Sequence, residues 1–176
     1  SNGMAKGLYI ENGGTLSFQS GVKRDLLITG SWNNQGVFNG EISNVIFRGE
    51  EKQFIDGAST FYHVVADNAA GIDVLDDTIR IESDLTLRNG QFTTSDKLMI
   101  LSGPTLTGRI GTITGGSLSG DVILQRYIDA GSTNWRFVSA PISDGTIESW
   151  DDDFITSGFV GSDYPAFPFV SIYKYD

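Results

Sequence analysis

The sequence predicts an all-β chain wound as a β-solenoid of about six coils, and three observations carry that expectation. No stretch places apolar residues at i, i+3, i+4 and i+7, so amphipathic helices are not expected. The 22 glycines stand against only 4 prolines, and with abundant Thr, Ser, Asn and Asp they mark tight turns between short strands. The third observation is a repeat. The apolar runs Leu8-Tyr9-Ile10, Leu26-Leu27-Ile28, Val45-Ile46-Phe47, His63-Val64-Val65, Ile79-Arg80-Ile81 and Leu98-Met99-Ile100 end 18, 19, 18, 16 and 19 positions apart.

A shorter apolar element follows each run: Leu16/Phe18, Val37/Phe38, Phe54/Ile55, Ile72/Val74, Leu85/Leu87 and Leu106. Turn formers separate them, among them Asn12-Gly13-Gly14, Asp56-Gly57 and Asn89-Gly90. A repeat of this length is too short for a propeller blade or an immunoglobulin domain. It suits a coil of two or three strands that cannot bury its apolar side chains alone. Stacking coils at ~4.8 Å pairs each backbone with its neighbours and lines the apolar residues into inward ladders. An antiparallel β-sandwich is the alternative, because Asn-Gly and Asp-Gly are also hairpin signals. Hairpins rarely keep both a period and an offset over six units, which favours the solenoid.

The repeat region is expected to span residues 1–119, with residues 120–176 forming a capping β region of the same structural unit. Solenoid ends expose strand edges, and such edges invite aggregation unless covered. "DVILQRYIDAGSTNWRFVSAPIS" supplies a candidate cover: a strand from Val122 to Ile128, a turn around Gly131-Ser132, and a strand from Trp135 to Val138. Of the 3 Trp, 6 Tyr and 11 Phe, 11 fall between Tyr127 and Tyr175. Large rings suit a compact cap, so Trp135 and Trp150 are expected to be buried. Arg126 and Arg136 are expected to pair with carboxylates or with carbonyls at the strand edge.

Charge narrows the partners. Lys and Arg number 12 against 22 Asp and Glu, giving a net charge of −10. Such an anion repels phosphate backbones and anionic membranes, so neither nucleic acid nor membrane insertion is expected. No apolar run approaches the ~18 residues of a membrane span. With no cysteine, disulfides, thiolate zinc sites and thiol nucleophiles are ruled out. The opening Ser1-Asn2-Gly3 and closing "SIYKYD" read as cuts in a longer, processed protein, whose remainder would be the chain's first partner.

Candidate sites are few. Asp151, Asp152 and Asp153, with Asp163 and the nearby Asp144 and Glu148, are the candidate calcium ligands, since calcium takes six to eight oxygens. The competing reading is a solvated acidic loop, because no EF-hand spacing is present. Asp73, Asp76 and Asp77 form a weaker cluster. Trp135 and Tyr164 are the candidate carbohydrate contacts, with Trp32 and Tyr62 as further aromatic faces. His63 is the only histidine; no G-x-S-x-G elbow accompanies it, and one histidine is too few for a typical zinc hydrolase. It is expected to be a surface or ladder residue. Arg48, Arg80 and Arg88 would suit a polysaccharide lyase if they shared one face. The Thr rows in "TLTGRIGTITG" are too brief for an ice-binding array. No catalytic residue is assigned.

Three tokens carry a resemblance: Arg126-Tyr127-Ile128, Trp135-Arg136-Phe137 and Ser139-Ala140-Pro141. Preceded by phrases such as "ITGSWNNQGVFNGEISNVIFRG", they resemble the glycine-rich β-repeat region of large secreted and cell-surface proteins of the Bacteroidota. Those proteins typically end in a type IX secretion sorting domain, which this sequence lacks. The resemblance runs from about Gly7 to Trp150. It implies export and a structural or adhesive role, and it transfers no catalytic residue. The expected function is therefore a non-enzymatic stalk or display scaffold at the cell surface. A calcium-assisted carbohydrate-binding module is the alternative, and a lyase-like enzyme comes third.

Overall fold

The computed structural model describes residues 2–129 and 155–172, and the chain divides into two compact units, Ser1–Ala130 and Gly131–Asp176. The first unit holds fifteen strands, and no helix occurs among the described residues. Three legs make one coil. Coil one is β1 (Gly3–Ala5), β2 (Leu8–Ile10) and β3 (Thr15–Ser17); coil two is β4 (Asp25–Ile28), β5 (Trp32–Asn34) and β6 (Val37–Asn39). Coil three runs through β7 (Asn44–Phe47), β8 (Gln53–Asp56) and the first leg of β9 (Ser59–Asp67). The rest of β9 opens coil four, followed by β10 (Ile72–Val74) and the first leg of β11 (Ile79–Thr93). β11 turns two corners into coil five, which β12 (Leu98–Ile100) completes. Coil six is β13 (Arg109–Ile113), β14 (Gly116–Ser119) and β15 (Val122–Leu124).

Every pairing between these strands is parallel, which establishes the β-solenoid and excludes the antiparallel sandwich. On the first face Gly3, Leu26, Val45, Val64, Leu85 and Ile110 stand in one register. The second face stacks Leu8, Trp32, Ile55 and Val74, and beside them Gln53, Ile72, Phe92 and Leu118. The third face pairs Leu16 with Phe38, and below them Phe61, Ile81, Ile100 and Leu124.

This geometry corrects the repeat in detail. Leu8–Ile10 lies on the second face, the next three apolar runs on the first, and the last two on the third. The true spacing on the first face is 23, 19, 19, 21 and 25 residues from coil to coil. Corners absorb the difference, because a loop leaving the stack does not disturb the legs beside it. The longest coil contains a small hairpin, bridged at Ser102 and Thr107 and closed by Gly103 N–H donating to the Leu106 carbonyl at 2.8 Å. Leu106, expected as an inward element, sits in this hairpin and is exposed.

The expected boundary at residues 119 and 120 falls inside coil six, since Val122, Ile123 and Leu124 pair with Leu98, Met99 and Ile100. The strand expected to run to Ile128 ends at Leu124. Trp135, Arg136 and Trp150 lie outside the described residues.

Alternation within each leg produces the core. Leu26 and Ile28 are buried while Leu27 between them is half-buried, and Val45 and Phe47 repeat the pattern one coil on. The centre of coils two and three is aromatic. Trp32 packs edge-on against Phe38 at 4.7 Å and against Phe61 at 5.1 Å, and Phe47 lies 6.3 Å from Phe61. The Trp32 indole N–H, wholly buried, donates to Ser59 Oγ at 3.0 Å.

Corners also stack. Buried Asn34 donates to the Ala58 carbonyl of the next coil and accepts from Gly36 N–H, so its side chain satisfies two backbone groups. Directly below, Gly57 has a φ of 82°, and a Cβ there would lie 1.9 Å from the Asn34 carbonyl oxygen. Only glycine fits that corner.

Candidate functional site: a cross-coil polar ladder

Immediately before each inward residue of the first face stands a polar one. Asp25 pairs with Asn44, Asn44 with His63, His63 with Asp84, and Asp84 with Arg109, one residue per coil. Asn2 extends the row, its Nδ2 donating to Asp25 Oδ2 at 3.2 Å. Parallel stacking brings these side chains together because equivalent positions of successive coils lie about one strand spacing apart.

The hydrogen bonds orient one another. Asn44 Nδ2 donates to Asp25 Oδ1 at 2.7 Å, so Asn44 Oδ1 faces His63 Nδ1 at 3.0 Å. His63 Nδ1 therefore carries the proton, and Nε2 is left to accept from the Thr86 hydroxyl at 3.0 Å. Burial lowers the His63 pKa from its ordinary 6.5; Asp84 opposes that shift, and Lys23 and Arg88 add to it. The imidazole is neutral at pH 7. In the next coil Asp84 Oδ2 accepts from Arg109 Nε at 3.2 Å and Nη2 at 2.9 Å, and this bond and charge raise the Arg109 pKa. Asp84 Oδ1 is buried without a hydrogen-bond partner.

Thr86, His63 and Asn44 thus repeat the order hydroxyl, imidazole, orienting amide found in hydrolytic triads. Among the described residues the remaining parts of such a site do not accompany them. Thr86 belongs to a leg paired with β9 on one side and β13 on the other, which engages its backbone N–H groups rather than aiming them at an oxyanion. Two cavities, of about 400 and about 320 Å³, lie elsewhere, at residues 163–168 and beside Glu82 and Gln125 under the 102–107 hairpin. As a ladder, the group ties coils two to five together.

The other candidate residues scatter. Arg48 forks onto Asp67 Oδ2 through Nε at 2.9 Å and Nη2 at 2.7 Å. Arg80 pairs with Thr60 and Met99 on the third face, while Arg48 and Arg88 adjoin first-face strands, so the three arginines do not share a face. Asp73 pairs with Lys52 at 2.6 Å. Trp32, considered for sugar stacking, is core; Tyr62 is half-buried at a corner.

Asp151, Asp152, Asp153 and Trp135 lie outside the described residues. Asp163 Oδ2 accepts from Thr156 N–H at 2.7 Å and from its hydroxyl at 3.2 Å, which places that oxygen in a local turn. No cluster of three or more His, Cys, Asp or Glu able to hold a metal occurs among the described residues. Tyr164 is 58% exposed; Phe167 and Phe169 nearby are also exposed, with rings edge-to-face at 5.8 Å.

The polar ladder escaped sequence reasoning although a signal existed: a polar residue precedes Leu26, Val45, Val64, Leu85 and Ile110 alike. Alignment on the ends of apolar runs from three different faces hid it. No family model, curated protein or solved structure matches the chain.

Proposed function

We propose that the chain is a rigid spacer, a non-enzymatic structural segment of a larger surface protein that holds other parts at a set distance. One observation carries this reading: two faces of parallel strands run in register through all six coils, and the third pairs coil one with two and coils three to six with one another. With coils about 4.8 Å apart, six of them advance roughly 24 Å from first to last. Each coil buries its apolar residues only against its neighbours, so the stack resists bending while its corners accept loops. The ladder from Asp25 to Arg109 supports the same role by cross-linking coils on one face. Export by type IX secretion in a Bacteroidota host, with the rest of the parent protein as partner, rests on the resemblance of the segment from Arg126 to Pro141.

A second reading is a calcium-assisted carbohydrate-binding module, favoured by the exposed rings of Tyr164, Phe167 and Phe169. Aromatic faces left in solvent are suited to stacking on sugars, whereas core rings are not. A glycan array probed with the whole chain, once in calcium and once in chelator, separates the two. The spacer reading expects no selective signal in either condition. Selective binding lost in chelator and weakened by Tyr164→Ala would replace it with the second.

A further inference from the structure

Four Asn-Gly pairs occur in the chain: Asn2-Gly3, Asn12-Gly13, Asn39-Gly40 and Asn89-Gly90. In such a pair the glycine backbone nitrogen can lose its proton and attack the asparagine Cγ. The new N–Cγ bond closes a five-membered succinimide, and the Cγ–Nδ2 bond breaks to release ammonia. Water then opens the ring to aspartate or isoaspartate. The step needs a glycine N–H without an acceptor, an amide side chain free to turn, and room around both.

We propose that Asn12 is a spontaneous deamidation site and that the fold protects the other three. Asn12 and Gly13 are the two central residues of a turn closed by Gly14 N–H donating to the Glu11 carbonyl at 2.8 Å. Gly13 has a φ of 77°, as the third residue of a type II turn does, and a Cβ placed there would meet nothing within 4 Å. Both residues are exposed, and neither the Asn12 side chain nor the Gly13 N–H has a hydrogen-bond partner among the described residues.

The other pairs are held. Asn2 exchanges two hydrogen bonds with Asp25, at 3.2 and 3.3 Å, and Gly3 lies in β1. Asn39 donates to Ser17 Oγ at 3.1 Å, and Gly40 is buried against the Phe38 ring. The Asn89 carbonyl accepts from Asn68 N–H at 3.2 Å, and Gly90 is paired with Gly116 and packed under the Asn68 carbonyl.

The consequence is local and structural. Gln35 N–H donates to the Ile10 carbonyl at 2.8 Å and Val37 N–H to the Gly14 carbonyl at 2.9 Å, one on each side of the turn. Isoaspartate would add a carbon to the backbone between these two bonds, displacing β3 from β6. The turn would then act as a clock that loosens coil one from coil two as the protein ages.

Peptide mapping by mass spectrometry, after incubating the folded chain in mildly alkaline buffer, tests this. Asn12 is expected to convert at least about tenfold faster than the other three, the ratio given by a barrier difference of about 1.4 kcal/mol. In denaturant the four rates should converge. Equal rates in the folded chain, or another pair converting first, would overturn the proposal. Aged wild-type chain should also lose hydrogen-exchange protection at Val37, while Asn12→Gln aged alongside should keep it. Equal loss in both would refute the loosening of coil one.

Discussion

The inward-facing rings of coils two and three and three of the rings of residues 155–172 have opposite fates, while Phe54 on the outside of coil three is exposed and Phe159 is half-buried. Trp32, Phe47 and Phe61 are fully buried and touch one another, whereas Tyr164, Phe167 and Phe169 are more than half exposed. Composition alone favours the C-terminal third as the aromatic core, because most of the rings fall there. Among the described residues the rings that stabilise the fold are the fewer ones in the repeat. Burial follows position in a ladder: a ring pointing inward on a stacked leg meets the coils above and below, while a ring on a turn meets solvent on at least one side. Phe159 is half-buried, and Trp135 and Trp150, the rings expected to be buried in a cap, lie outside the described residues.

The largest effect should come from breaking this contrast directly. Phe61→Ala should cost about 3–5 kcal/mol of stability, as truncation of a fully buried ring does, whereas Phe167→Ala should stay within about 0.5 kcal/mol. Denaturant unfolding of both variants measures the difference, and comparable losses would mean that exposure misjudges the C-terminal rings.

Glycines sharpen the comparison at the next level. Gly57 and Gly161 both have positive φ, but a Cβ at Gly57 collides with the Asn34 carbonyl while one at Gly161 meets nothing within 4 Å. Gly57→Ala combines left-handed strain with overpacking and should cost about 2–4 kcal/mol. Gly161→Ala carries only the strain, about 1 kcal/mol. Thermal melts of the two variants suffice to check the order.

The smallest effect should be a pH dependence confined to the repeat. Because the folded His63 pKa lies below 6.5, the unfolded chain binds the proton more readily. The stability that neutral His63 contributes is fully present above 6.5 and is lost as pH falls through the lower folded value. Asp84 and Asp25 moderate the loss, and Lys23 and Arg88 enlarge it. Unfolding midpoints above and below 6.5 should therefore differ more for wild type than for His63→Gln. Equal differences would show that the ladder does not hold the histidine neutral.

The sequence by itself determined that this chain is all-β and that it repeats. Alternating apolar residues separated by Asn and Gly turns have no helical reading, and a period near 19 residues leaves room for a coil but not for a larger unit. It also marked His63 as a ladder or surface residue, because one histidine without an elbow or fellow ligands has little else to do. Tertiary structure decided the rest. Corner lengths vary, so coil spacing ranges from 19 to 25 residues, and only the register shows that Leu8, Leu26 and Ile79 occupy three different faces. Likewise Asp25, Asn44, His63, Asp84 and Arg109 are distant in sequence and individually unremarkable. They become one row, hydrogen-bonded from Asp25 through Asn44 to His63 and again from Asp84 to Arg109, because parallel stacking places equivalent positions one strand spacing apart, a proximity that no local pattern encodes.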